Sequence, residues 1–288
     1  MIQSVRSYLT DTHCNLLFTF LVDFLDWVIT FLLWSAAFIC DKIDGFRRQF
    51  DIHDSSIAHT FTEHERVPVG QLALLSVFLP AISMVILNRL QHHSIRDIHH
   101  GLLGLLLGLS LTTVVTQVTK ICIGRPRPDL LDRCKPQLPL PMGTIWTNSS
   151  ICSTHTKSYR LIDGFRSFPS GHSSTAWAGL GFLSLYTSAK LKTFEKPERR
   201  VVNPIFSLLP LILASWISIS RTMDYRHHWE DVVIGGLLGM LMAWFSYRMY
   251  YPSITSQDSH EPFHFRYHHP MLSDYEPVES NIEDEDIP

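Results

Sequence analysis

Charge is scarce in this chain. Only 18% of its 288 residues are Asp, Glu, Lys or Arg, and 24 basic against 27 acidic side chains leave a formal net charge of −3. Without a basic excess a general nucleic-acid binder is excluded, because such binding rests on cations that displace counterions from phosphates. Five cysteines in this length exclude a disulfide-dense mini-scaffold. A cleavable signal is not expected, since the first apolar segment is too long and follows Asp11. What remains is one domain's worth of sequence, or two small ones, 45% hydrophobic, with a mean hydropathy of +0.08 and no internal repeat. That mean is too apolar for disorder and too polar for a featureless membrane bundle, so the distribution has to decide.

Four runs contain no Asp, Glu, Lys or Arg: Val67 to Asn88, Ile98 to Thr119, Ser167 to Ala189 and Val201 to Ser220, of 22, 22, 23 and 20 residues. Crossing a hydrocarbon core takes about 20 residues of helix. Helices of a soluble core usually carry charge on an outer face, and these do not. Two weaker spans complete the set: Leu16 to Cys40, which carries Asp23 and Asp26, and Val232 to Tyr251, with Trp244 and tyrosines toward its end. The expected fold is all-α, a six-transmembrane-helix bundle over residues 1–251, with Asp23 and Asp26, near the start of their span, placed at the membrane interface in preference to the alternative of facing the bundle interior as functional groups. The pairs Gly104 and Gly108, and Gly235 and Gly239, read as packing devices that let helices approach. The tail, residues 252–288, has nine acidic residues against one Arg and reads as a solvated, mostly disordered extension.

Six crossings put both termini, the Leu90 to Asp97 turn and the Lys190 to Arg200 loop on one face. Lys and Arg then number 10 on that face and 14 on the other, which does not orient the chain by the positive-inside bias. Asn148-Ser149-Ser150 is a glycosylation sequon, and Cys134 and Cys152 flank it closely enough to bridge in an oxidising compartment. Both favour cytosolic termini and a lumenal or extracellular second face, in an endomembrane, vacuolar or plasma membrane.

That second face holds the chemistry. Lys120 to Pro128 follow the third span, Pro169-Ser170-Gly171-His172 open the fourth, and Ser220-Arg221, His227 and Asp231 lie between the fifth and sixth. Gathered in one pocket, Lys120, Arg127 and Arg221 would repel one another unless an anion sat among them, and a phosphate suits that role. Any one of these cations alone reads equally well as snorkelling at a helix end. His227 and Asp231 are four apart, so on a helix the carboxylate can orient one imidazole nitrogen and leave the other to attack. His172 follows Ser170-Gly171 at a helix start, where free amides bind anions. One histidine as nucleophile and one as acid suffice for phosphoryl transfer. His228 is the weaker nucleophile candidate, having Val232 four residues on, and His92, His93, His99 and His100 read as interfacial residues without such partners.

In order and spacing these three blocks resemble the signature of the type 2 phosphatidic acid phosphatases, also called lipid phosphate phosphatases. The stretches Phe46-Arg47-Arg48-Gln49-Phe50, Arg127 to Cys134 and Asp224 to Trp229 are similar to the fungal diacylglycerol pyrophosphate phosphatase branch. The resemblance implies that Lys120, Arg127 and Arg221 bind the phosphoryl oxygens, that Ser170 and Gly171 donate hydrogen bonds to them, that His172 protonates the leaving group, and that His227, held by Asp231, becomes a phosphohistidine. It implies a lipid phosphate or diphosphate as substrate; no cofactor is expected, and no magnesium site, since the three cations can neutralise the phosphoryl charge themselves. Isoprenoid diphosphates, a bound vanadate, or a non-catalytic lipid-binding or transport role are the alternatives; the paired His227 and Asp231 argue against the last. Lipid preference and oligomeric state leave no trace in the sequence.

Overall fold

The computed structural model describes residues 2–137, 146–194 and 201–263, with side chains from Leu21 onward. Among the described residues the regular structure is helical, and isolated bridges joining Phe50 to Thr147 and Pro136 to Cys152 are its only extended pairings. In chain order the helices are α1 (Ile2–Lys42), α2 (Val69–Leu90), α3 (Ile95–Ile123), α4 (Leu130–Cys134), α5 (Tyr159–Gly164), α6 (Gly171–Lys190), α7 (Val202–Met223) and α8 (Trp229–Tyr250).

Among the described residues five helices are long and apolar enough to cross a membrane: Leu21–Lys42 within α1, and α2, α3, α7 and α8. The remaining expected span is α6, and its composition falls short because Ser, Thr and Gly recur along it. Its position explains this. From Ser173 to Lys190 nearly every residue is buried, with α8, α7, α3 and α2 packed around it, so α6 meets protein where the other helices offer Phe, Leu and Ile outward. Between helices in lipid the driving force is close packing, which small residues permit. A Cβ on Gly108 would stand 2.5 Å from Ser246 Oγ on α8, and one on Gly239 would overlap the Ser174 carbonyl on α6. Pro80 within α2 cannot donate to Ser76, four residues back, and a π-type turn over Leu74–Phe78 adjoins it. The freed Ser76 carbonyl faces α6 at Gly179, where a Cβ would overlap it.

At one end of the bundle lies a buried ionic network. Lys190 Nζ is 2.6 Å from Asp97 Oδ2, and Asp97 also accepts from Asn88, Tyr186 and Tyr251 at 2.6, 3.1 and 2.7 Å. Residues expected in surface turns are therefore enclosed, tying the start of α3 to the end of α6. Asp23 and Asp26 lie at this same end, and they face the bundle: Asp23 is 3.4 Å from His100 Nε2 and 3.9 Å from His99 Nδ1, and Tyr250 donates to Asp26 at 2.8 Å. The reading of His99 and His100 as residues without partners is corrected accordingly. Residues 252–263 form turns, with Ser259 buried and Lys190 Nζ donating to the His260 carbonyl. The rest of the acidic tail lies outside the described residues.

Candidate active site

Chain direction brings the three sequence blocks together. The end of α3, the start of α6, the end of α7 and the start of α8 meet at the end of the bundle opposite the Asp97 network, beneath the loops before α2 and between α3 and α6. Gly124 stops α3 with φ 58°, close against the Phe46 carbonyl, a backbone setting suited to glycine. Beyond it Leu130, Leu161, Phe165 and Phe50 bury together, and a Cys134–Cys152 disulfide, Cα atoms 4.6 Å apart, closes the loop. Asn148 is exposed and caps a short turn, its Oδ1 accepting the Ser150 amide at 2.9 Å.

A cavity of about 510 Å³ opens there, and Lys120, Arg127, Gly171, His172, Arg221 and His227 all line it. Lys120, at the end of α3, donates to the Arg166 carbonyl at 3.0 Å, and its Nζ would lie 3.8 Å from a Cβ on Gly171. The Arg221 guanidinium reaches Glu65 at 2.7 Å and Asp224 at 2.9 Å. Arg127 grips Asp163 through its carbonyl at 2.8 Å and its carboxylate at 2.6 Å.

Ser170 and Asp231 are placed otherwise than expected. Ser170 is fully buried at the cap of α6, its Oγ accepting the Ser173 amide, and it is not part of the cavity lining. Asp231 does not hold His227 directly: His227 Nδ1 lies 3.9 Å from its carboxylate but 2.6 Å from the Ser167 carbonyl. Asp231 instead accepts from Ser167 Oγ at 2.5 Å, Arg125 at 2.7 Å and the His228 amide at 3.1 Å. His228, expected to lack a carboxylate, has Nδ1 3.3 Å from this same Asp231. The cause is local. Four-residue stacking requires helix through both positions, whereas His228 is the extended N-cap of α8, with φ −71° and ψ 158°.

A carbonyl can only accept, so Nδ1 of His227 carries the proton and Nε2 keeps its lone pair. Burial, then Arg127, Lys120 and His172, hold the His227 imidazole well below its ordinary value of 6.5, and hence neutral. His172 Nε2 donates to the Val67 carbonyl at 3.0 Å, with Glu65 at 3.9 Å.

Several groups in the site were not foreseen. Asp163 also takes Arg133 at 2.9 Å. Burial pulls its carboxyl upward, yet Arg127, Arg133 and Lys120 bring it down to about 2. Glu65 joins Arg221 to Arg226, the latter at 2.5 Å. Arg133, Arg160 and Arg226 surround the Phe61 ring at 4.7, 4.2 and 4.5 Å. Arg226 had the one available signal, adjacency to His227; Glu65 and Asp163 lie in loops with nothing in their own sequence to tie them to the arginines.

The family described as "PAP2 superfamily" matches residues 101–254. Diacylglycerol pyrophosphate phosphatase 1 of Saccharomyces cerevisiae is 40% identical over 232 residues, covering 80% of this chain and 77% of that protein. Two lipid phosphate phosphatases of Arabidopsis thaliana, 1 and 2, are 36% and 34% identical, covering 83% and 82% of this chain and 71% and 80% of theirs. No solved structure matches the chain.

Proposed function

Because the chain belongs to the PAP2 superfamily, we propose that it is an integral membrane lipid phosphate phosphatase acting on diacylglycerol pyrophosphate, phosphatidate and lysophosphatidate through a phosphohistidine. One observation carries the reading: His227 donates through Nδ1 to the Ser167 carbonyl, leaving Nε2 with a free pair beside a cavity lined by cations. Lys120, Arg127 and Arg221 take the equatorial oxygens, with the start of α6 at Gly171 beside them. The pair on Nε2 forms a bond to phosphorus while the bond to the leaving oxygen breaks, and His172, when protonated, supplies a proton to that oxygen. Water then forms a bond to phosphorus as the phosphorus–nitrogen bond breaks, its proton passing to His172, which returns neutral His227, protonated His172 and free phosphate. Ser170 serves this site by capping α6, and Asp231 by fixing Ser167.

Three carboxylates of the lining are already engaged by arginines, Asp41 by Arg166, Glu65 by Arg221 and Arg226, and Asp163 by Arg127 and Arg133. That donor set suits an anion better than a divalent cation, so activity is expected to persist in EDTA. The cavity face is placed in the lumen or outside the cell, with both termini in the cytosol, a reading supported by the exposed sequon at Asn148 and the Cys134–Cys152 bond. The deciding experiment is phosphate release by the purified protein from a panel of lipid phosphates, with His227→Ala as control. Loss of release with the variant still in the membrane is expected, and wild-type turnover in it would refute the assigned nucleophile.

A further inference from the structure

The cavity holds more cationic capacity than one phosphoryl group can use. Among the described residues seven Lys and Arg side chains line it, and five face a carboxylate of the lining: Arg127 and Arg133 share Asp163, Arg221 and Arg226 share Glu65, and Arg166 has Asp41. Two do not. Lys120 stands at the start of α6, within the site for the transferred phosphoryl group. Arg160 stands apart from it on Phe61, its guanidinium 4.2 Å from the ring centroid, with its buried Nε unpartnered and no hydrogen bond or ion pair to the guanidinium among the described residues. Arg226, 8% exposed and 4.5 Å from the same ring, likewise has an Nε without an acceptor. The backbone at Phe61 is anchored, its amide donating to Asp132 at 2.7 Å. The two guanidiniums thus lie against one ring, with both terminal nitrogens of Arg160 and Nη1 of Arg226 making no hydrogen bond among the described residues; Arg226 is bonded to His227 in the chain, and Arg160 is the more exposed of the pair.

We propose that Arg160 and Arg226 form a second anion subsite, which takes the phosphoryl group that stays on the lipid when a lipid diphosphate is cleaved. This rests on the phosphatase reading above and deepens it to a preference for diphosphates. In the step, the Nε2 pair of His227 bonds to the terminal phosphorus. The bond from that phosphorus to the bridging oxygen breaks, and its electrons remain on the lipid phosphate. The charge appearing there is met by the terminal nitrogens of Arg160 and by Nη1 of Arg226, which make no hydrogen bond among the described residues, fork donors suited to phosphate oxygens. A monophosphate leaves this subsite empty.

The test uses the full chain, purified in detergent micelles, and compares kcat/KM for diacylglycerol pyrophosphate and phosphatidate in wild type, Arg160→Gln and Arg160→Lys. Loss of one charge-assisted contact made only by the diphosphate corresponds to about tenfold or more. Arg160→Gln is therefore expected to lower the diphosphate-to-monophosphate ratio about tenfold, and Arg160→Lys, which keeps the charge without the fork, to lie between. In wild type, inorganic pyrophosphate should inhibit phosphatidate hydrolysis at a concentration about tenfold below that of inorganic phosphate. Equal losses on both substrates, an unaltered ratio, or equal inhibition by the two anions would overturn the subsite and leave the phosphatase reading standing. Release of phosphate from neither lipid by the wild-type protein would remove both.

Discussion

Replacing Ser167 by Ala separates two accounts of how the nucleophile is held. In the structure Asp231 reaches His227 only through Ser167: the hydroxyl donates to Asp231 at 2.5 Å, and the carbonyl of that same residue accepts His227 Nδ1–H at 2.6 Å. Both residues are fully buried, so water cannot replace the lost hydroxyl. A hydrogen bond to a charged group is worth about 1.5–3 kcal/mol. If most of that energy fixes the carbonyl, Ser167→Ala lowers kcat/KM on the order of 10- to 100-fold. Asp231→Asn disturbs more, since Arg125 and the His228 amide also bind that carboxylate at 2.7 and 3.1 Å. Its loss is expected to be about 100- to 1000-fold, and the double variant should be little worse than Asp231→Asn, because the Ser167 bond is already weakened in it. A carboxylate acting directly on the imidazole predicts otherwise: about 10⁴-fold for Asp231→Asn, near-wild-type rates for Ser167→Ala, and additivity. Phosphate release by purified protein, with single-turnover trapping of the phosphohistidine, gives all four corners of the cycle. Wild-type kcat/KM in Ser167→Ala beside an inactive Asp231→Asn would refute the indirect account.

Asp163 is held at about 2 against an ordinary 3.8, so its folded value lies below its unfolded one and its stabilisation is complete above pH 4 and lost as pH falls through 2. Asp163→Asn should therefore destabilise the protein by about 2 kcal/mol at pH 7, read from thermal unfolding in detergent; an unchanged midpoint refutes this. His227 binds its proton less readily folded than unfolded, so stability should fall as pH drops below 6.5, and this fall should be smaller in His227→Gln; equal slopes between pH 7.5 and 5 count against it. The same depression keeps the nucleophile neutral, so kcat/KM should show no acid limb from His227 near pH 6.5, and the nucleophile is the wrong residue if a limb there disappears on altering a different histidine. Cys134→Ser opens a loop of 18 residues and should cost about 3 kcal/mol in unfolding free energy; indifference of the wild-type midpoint to strong reductant would argue against the bond's contribution.

What the sequence makes legible follows from what lipid demands. A segment without charge has to satisfy its backbone internally, so the run Ile98 to Thr119 falls within α3, the run Val201 to Ser220 begins one residue before α7 and ends inside it, and the ends of successive helices gather Lys120, Arg127, His172, Arg221 and His227 around one cavity. Glycine spacing on α3 and α8 points to close approach for the same reason, and Gly108 and Gly239 both sit against neighbouring helices. Legibility ends where a residue's role depends on a partner distant in the chain. The span after Ser170 is as uncharged as the others, yet α6 is polar because it is surrounded by protein, and only the assembled bundle reveals that. The spacing of His227 and Asp231 implies direct contact only if helix runs through both, and the N-cap at His228 breaks that premise.

The deepest gap concerns charge. Counting by segment finds the cations and finds that they would repel, but the carboxylates that let them coexist come from elsewhere: Glu65 lies 156 residues from Arg221, and Asp163 36 from Arg127. A buried cation left without its partner is unstable by several kcal/mol, so each arginine aimed at the substrate has to be held by a carboxylate behind it or answered by the substrate itself. Sorting the lining by that criterion separates held from unanswered cations. Lys120, which is buried, and Arg160, half-buried in the cavity wall, are the two without a carboxylate of the lining, and the second of them points to a second anion beside the phosphoryl site.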